Sequence, residues 1–432
     1  MIRVLCLVAV LVLACATPAA AHNVAAGTDL RIAQTIAGAE LTVVIKGTTR
    51  VPGPLRIGVV AFEPVAELPV SLELRSVADG RTVKGAATAA PEPAYTELTV
   101  ERTGPHELTL RAGNETAVLP FRVLVERAAA GELVVYGGLF VAGMLLVGGV
   151  LTGALSRRGP AMLLAAGAAA GVTVAAMVLV FEPMVPAGPP DGAAPVPQTR
   201  ASGAQASGGR PFAQARVATV PARPAAGEEF TLRLDLVDGS TGRPVDDLVA
   251  HHEALAHLVV TSEDGGYFRH LHPLRTAPGR LEVRLRADRP GRYLAHAELE
   301  REDSGGQLVT AAFGVGGDPD GKKPATEPGT GSPTAPLLRP VVPVAGRPAT
   351  IELGTSGAVR PWLGMAGHLI VRNQDGSFLG HVHEMGSAGP RLRFTYSFPE
   401  AGRYLAWVQY AVADRIVTVP FTVEVAPVEG AR

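Results

Sequence analysis

Cysteine is almost missing from this 432-residue chain: there are two, Cys6 and Cys15, both in the first fifteen residues. Charge is scarce as well, 18% of residues against about 25% in ordinary soluble domains. It is also nearly balanced, with 39 Lys and Arg facing 40 Asp and Glu for a formal charge of -1. A nucleic-acid binder would need a basic stripe, so that class is excluded. The 50 Gly and 36 Pro exclude a coiled coil, and the 47% hydrophobic content excludes a disordered chain.

The first residues read as a secretory signal: Arg3 precedes an apolar run from Val4 to Ala14, and Ala19-Ala20-Ala21 offers a small-residue cleavage site. A lipoprotein cut before Cys15 is the rival, although Leu13 stands where such signals prefer a small residue. Cutting after Ala21 removes both cysteines and leaves His22 first. Disulfides and thiolate ligands are then unavailable, so any metal site must use His, Met or carboxylate.

Two charge-free apolar runs, 133–155 and 161–181, each satisfy the roughly 20 residues that a membrane span requires. The loop between them holds Arg157 and Arg158, which places it in the cytoplasm and both outer ends of the hairpin outside. Gly149-xxx-Gly153 and Gly167-xxx-Gly171 are candidate close-packing faces. With no ionisable residue in either span, the hairpin (132–182) reads as an anchor in the cell membrane rather than an ion path.

Segments 22–131 and 213–427 are therefore expected outside, and both alternate apolar and polar residues between Gly, Pro and Asp turns. Pro-, Gly- and Ala-rich stretches at 183–212 and 317–335 read as linkers. They separate repeats at 213–316 and 336–427, which superimpose at a constant offset of 111: His257 on His368, His270-Leu-His272 on His381-Val-His383, and Gly291-Arg-Tyr293 on Gly402-Arg-Tyr404. A fainter echo, Gly104-Pro-His-Glu-Leu108, closes the first segment, where His106 reads as the start of a strand. The expected fold is mainly β: three immunoglobulin-like sandwiches plus a transmembrane helical hairpin, with Tyr293 and Tyr404 as tyrosine corners.

The most informative segment runs from His257 to His272 through Asp264-Gly265, a pair that favours a two-residue type I′ hairpin turn. In that register cross-strand partners sum to 529, which sets His257 opposite His272 with His270 diagonal on the same face; in the second copy the sum is 751 and His368 faces His383, with His381 diagonal. Leu258, Val260 and Leu271 take the opposite, core-facing side. Three neutral imidazoles around one point suit copper, or alternatively zinc. The competing readings are histidines that merely hydrogen-bond loop carbonyls, and a pH-responsive contact between domains. Around the shared triad the first copy adds His251, His252, Glu253 and His296, whereas the second has Trp407 in place of His296 and adds Met365, Glu384 and Met385. Thioethers suit Cu(I) and extra imidazole or carboxylate suits Cu(II) or Zn(II). His22 adds a further copper chelate if it becomes the amino terminus.

The stretches Ala256-His-Leu-Val-Val260, Tyr267-Phe-Arg-His-Leu-His-Pro273, Gly367-His-Leu-Ile-Val371 and Leu379-Gly-His-Val-His383 resemble a repeated motif of poorly characterised bacterial secreted or membrane-anchored proteins associated with heavy-metal binding. Gly402-Arg-Tyr-Leu-Ala-Trp407 is similar to the end of the CopC-type periplasmic copper-resistance fold, an immunoglobulin-like barrel that begins at an amino-terminal His. Here His22 is cut off from the repeats by the hairpin, so that fold's ligands do not carry over. The resemblance implies envelope copper or heavy-metal handling. With no nucleophile elbow, Walker loop or zinc-protease motif, the expectation is a non-enzymatic metal buffer or chaperone, with a membrane metal transporter as a partner. An envelope adhesion or scaffold protein with structural histidines is the alternative, and a metalloenzyme with an open three-His site comes third.

Overall fold

A computed structural model describes residues 29–64, 67–126, 130–181, 190–193, 212–302, 304–316, 335–384, 389–413 and 415–428. The expected signal, His22, Met385 and nearly all of both linkers lie outside them. The protein is mainly β, with three sandwiches and two apolar helices.

The N-terminal domain contains β1 (Leu30–Ile36), β2 (Ala39–Lys46), β3 (Gly53–Glu63), β4 (Leu68–Ser76), β5 (Thr82–Ala89), β6 (Thr96–Val100), β7 (Gly104–Ala112) and β8 (Glu115–Val123). The first repeat contains β9 (Ala213–Val220), β10 (Glu229–Asp238), β11 (Leu248–Val249), β12 (Ala256–Ser262), β13 (Phe268–Leu271), β14 (Leu274–Ala277), β15 (Arg280–Arg286), β16 (Gly291–Arg301) and β17 (Gly305–Val315). The second contains β18 (Leu337–Arg339), β19 (Pro348–Gly354), β20 (Gly367–Asn373), β21 (Leu379–Glu384), β22 (Arg391–Ser397), β23 (Gly402–Ala411) and β24 (Ile416–Val425).

One strand order recurs three times. Sheet β2-β3-β6 faces β5-β4-β7-β8, β9-β10-β15 faces β13-β12-β16-β17, and β18-β19-β22 faces β21-β20-β23-β24. This seven-strand antiparallel sandwich is the immunoglobulin-like arrangement. The N-terminal domain adds β1 at the edge of β2. Burial of every second residue along β7 and β22 shows the period of strands with one face on a core. Tyr293 donates its hydroxyl to the Arg289 carbonyl at 2.8 Å, and Tyr404 to the Glu400 carbonyl at 3.0 Å. Both are tyrosine corners, pinning the start of β16 and β23.

The two repeats pack against each other through the second faces of their four-stranded sheets, and the contacts are reciprocal, as in an isologous interface. Val259, Phe268, Ile370, Leu379, Leu405 and Trp407 form a shared apolar cluster, with Phe268 stacked on Trp407 at 4.6 Å. Buried Arg372 donates to the Thr261 hydroxyl (2.6 Å) and to the Ser262 and Glu263 carbonyls (2.9 and 2.8 Å) across this interface.

The hairpin registers follow the expected sums, since Val259 pairs with His270 and His368 with His383. The turn itself differs from the expected type I′. Only Gly265 is left-handed (φ 75°), and its amide donates to the Ser262 carbonyl at 3.0 Å. Ser262 still pairs with Tyr267, so the wider loop leaves the register unchanged. A Cβ on Gly265 would lie 2.3 Å from Leu405, and one on Gly376 (φ 75°) 2.1 Å from Leu294. Gly376→Ala is therefore expected to lose about 2 kcal/mol in urea denaturation, from the left-handed backbone and the displaced leucine together.

Helices α1 (Ala130–Leu151) and α2 (Arg158–Phe181) are long and apolar enough to cross a membrane. The first ends earlier than the apolar run because Gly153 is left-handed (φ 68°) and opens the connecting turn. Close approach occurs between Gly138 and Gly171, where an added Cβ would lie 2.7 and 2.6 Å from the opposite carbonyl. The expected Gly149 face instead meets Leu155 and Leu164. In an antiparallel hairpin, residues equally far from the turn face each other, and Gly171 lies too deep to meet Gly149. The chain entering and leaving the hairpin is tied by two backbone bonds between Val125 and Asp191, 2.9 and 3.1 Å.

Candidate metal centre

His257 lies on central strand β12, whereas His270 and His272 lie on and just beyond edge strand β13. The pleat turns all three to the face opposite the core residues Leu258 and Val260. His257 Nδ1 is 3.2 Å from His270 Nε2 and 3.2 Å from His272 Nε2.

The opposite nitrogens of these rings fix the tautomers. His257 Nε2 faces the His251 carbonyl (3.0 Å), and His272 Nδ1 faces the Glu40 carboxylate (2.5 Å). His270 Nδ1 faces Gln409 Oε1 (3.0 Å), while the amide nitrogen of Gln409 donates to Thr418. Each of those oxygens accepts only, so each of these nitrogens carries the hydrogen. In the neutral rings the three converging nitrogens are then bare lone pairs. Bare nitrogens at 3.2 Å make no hydrogen bond with one another; a shared proton satisfies one pair, but a metal ion satisfies all three. The spacing fits such an ion, since tetrahedral ligands at 2.0–2.1 Å stand about 3.3 Å apart.

The second triad repeats the pattern at the offset of 111. His368 Nε2 donates to the Trp362 carbonyl (3.1 Å) and His381 Nδ1 to Glu298 (2.9 Å), leaving His368 Nδ1 and His381 Nε2 bare and 3.2 Å apart. His383 completes it: one ligand atom from each ring lies within 4.8 Å of the others in both triads. Nε2 of His383 is buried with no hydrogen-bond partner among the described residues.

Burial, reinforced by neighbouring imidazoles, holds the proton affinities of His257, His270, His368 and His381 well below the ordinary value. Burial likewise lowers His383 to about 3 and His252 to about 4, and raises Glu298 to about 7. Neutral, ligating imidazole is therefore the resting state of these rings.

The triads are not separate sites at the ends of two domains. His381 lies 5.2 Å from His257 and 5.1 Å from His270 between ring centroids, making one six-histidine cluster across the repeat interface. Each repeat also holds a ring of the other, through Gln409 to His270 and Glu298 to His381. The N-terminal domain closes a third side: Glu40 reaches His272, the Thr35 hydroxyl accepts from the His272 amide (2.8 Å), and Thr35 N–H donates to the His272 carbonyl (2.8 Å). Trp362 covers both triads, with ring distances of 4.9 Å to His368 and 5.5 Å to His270.

The other sequence candidates divide. His252 stacks on His383 at 3.9 Å, so it adjoins the second triad rather than the first. Glu253 turns away to pair with Arg31 (2.7 Å), and His296 is bound to the Gly376 carbonyl (2.9 Å) within the repeat interface. Met365 is half-buried, its backbone bonded twice to Trp362. Glu40, Glu298, Gln409 and Trp362 escaped the sequence reading. Two of them were within reach: extending the register to β16 and β23 sets Glu298 beside His257 and Gln409 beside His368.

Fold and site thus define an immunoglobulin-like β protein with paired three-His groups and two candidate membrane spans. A domain of unknown function, DUF8832, matches residues 213–317 and 345–427, the two repeats that carry the cluster. No curated protein matches the chain. Similar solved structures include a two-domain fibronectin type III segment of chicken tenascin, 13% identical, covering 50% of this chain and 99% of that one at a TM-score of 0.17. The first three fibronectin domains of chicken CNTN1 are 9% identical, covering 88% and 97% at 0.17. Alpha-2-macroglobulin from Escherichia coli is 9% identical, covering 96% and 25% at 0.19.

Proposed function

We propose that the protein is a membrane-anchored, extracytoplasmic transition-metal binder, acting in copper handling as a buffer or as a chaperone for a membrane transporter. The observation that carries this reading is the convergence of three bare nitrogens at His257, His270 and His272, each fixed by an acceptor on its far side. Outer oxygen partners of this kind orient metal-bound imidazoles.

Charge balance favours Cu(I) over the alternative, zinc. Each triad has three neutral ligands and one adjacent carboxylate, Glu40 at the first and Glu298 at the second. A monovalent ion is neutralised there, whereas a divalent one leaves buried positive charge uncompensated. Binding rather than turnover is supported because both carboxylates are already engaged with imidazole Nδ1 atoms and neither stands free as a general base.

The membrane arrangement is supported by Arg157 and Arg158 between the spans. The N-terminal domain also bonds directly to the first repeat, with Ala33 N–H on the Glu253 carbonyl at 2.5 Å. That contact supports placing both domains on one side, as two crossings provide.

A scaffold with purely structural histidines is favoured by one fact, that the cluster stands where three domains meet. Elemental analysis of the purified chain separates the two readings. Wild type is expected to hold two equivalents of copper, and the combined His270, His272, His381 and His383→Ala variant none. Negligible copper and zinc in both would leave the scaffold.

A further inference from the structure

Resting on the metal reading above, the two triads differ in ways that assign them different tasks. The first is closed on every side. His257 and His272 are each 1% exposed and His270 7%, and all three far nitrogens are held by residues of three different segments: His251, Gln409 of the other repeat, and Glu40 of the N-terminal domain. The second is closed at His368, which is 0% exposed, and at His381, whose side chain is 2% exposed, but His383 is only half-buried. Among the described residues His383 has no counterpart of Glu40. Its buried Nε2 is without a hydrogen-bond partner among the described residues, and its ring is covered by His252, itself half-buried and held at a positive φ of 46°.

We infer that the six histidines form one two-ion centre of unequal halves, in which the ion at His257, His270 and His272 is retained and the ion at His368, His381 and His383 is exchanged through the opening at His252 and His383. Departure of an ion requires its ligands to turn away in succession. At the first triad each turn breaks a hydrogen bond to a fixed oxygen, and the turns of His270 and His272 require the second repeat or the N-terminal domain to separate. At the second, His383 turns away without breaking a hydrogen bond to any described residue, and an incoming thiolate or imidazole donor replaces it. The halves are also linked: Gln409 and Glu298 each lie in one repeat and hold a ring of the other, so the retained ion keeps the frame of the exchanging site assembled.

The test uses the full chain in detergent, loaded anaerobically with Cu(I) and challenged with excess bathocuproine disulfonate while chelated copper is followed by absorbance. Two phases of one equivalent each are expected, with rates at least tenfold apart. His383→Ala removes the fast phase and keeps the slow one. Glu40→Gln, a near-isosteric change that spares the packing, accelerates only the slow phase. A single phase releasing both ions, or loss of the slow phase in His383→Ala, overturns the unequal halves while leaving metal binding in place. Failure of wild type to take up Cu(I) overturns the metal reading itself.

Discussion

Acidifying the metal-free protein from pH 7.5 to 5.5 is expected to cost it about 5 kcal/mol of stability. Burial holds His257, His270, His368 and His381 neutral in the folded state, while in the unfolded chain they protonate near 6.5. Their contribution is therefore complete above 6.5 and is lost as the pH falls below it. Each ring that stays neutral costs about 1.4 kcal/mol per pH unit, so these four and His383, lowered to about 3, together cost about 7 kcal/mol at pH 5.5. Glu298 works in the opposite direction. Burial raises it to about 7, so the protein regains about 2 kcal/mol as this carboxyl takes up its proton. The net loss is comparable with the total stability of a domain, about 5–15 kcal/mol. Bound metal competes with protons for the same lone pairs and shifts the transition to lower pH. Urea midpoints at both pH values, with and without Cu(I), measure this. Equal midpoints without metal would contradict a buried neutral cluster.

Glu40→Gln is expected to weaken metal binding at the first triad by about 10- to 100-fold, the effect of removing a carboxylate behind a ligating histidine. Glu40 is 7% exposed and accepts from the Thr35 hydroxyl at 2.8 Å, so it is aimed before any ion arrives. The glutamine keeps the shape and one acceptor oxygen but loses the charge that makes His272 a better donor to a metal. A competition titration against a chromophoric chelator should show one of two equivalents weakened. Equal weakening of both would mean that Glu40 acts only by docking the N-terminal domain.

Much of this was legible along the chain. The offset of 111 that relates the repeats, the Gly-x-Tyr corners and the apolar spans all depend on local spacing, and local spacing survives folding. The hairpin register was legible for the same reason: strand pairing advances one residue on each side, so one turn fixes every pair to His368 and His383. The Gly149 helix face was not, because which glycine meets which depends on where the turn begins, and Gly153 sets that within the connection. Glu40 was out of reach altogether, separated from His272 by two domain boundaries and the two-helix hairpin.

By itself, then, the sequence determined what is periodic or adjacent: three sandwiches, a two-helix hairpin, and two sets of three imidazoles on equivalent strand faces. Only the tertiary structure decided that the sets meet in one cluster, that each repeat holds a ring of the other, and that a carboxylate from the first domain reaches one triad. The reason is physical. Strand register is a short-range property of paired backbones, whereas the meeting of sheet faces depends on which apolar residues, here Val259, Ile370, Leu405 and Trp407, remain uncovered once each sandwich has closed on its own core.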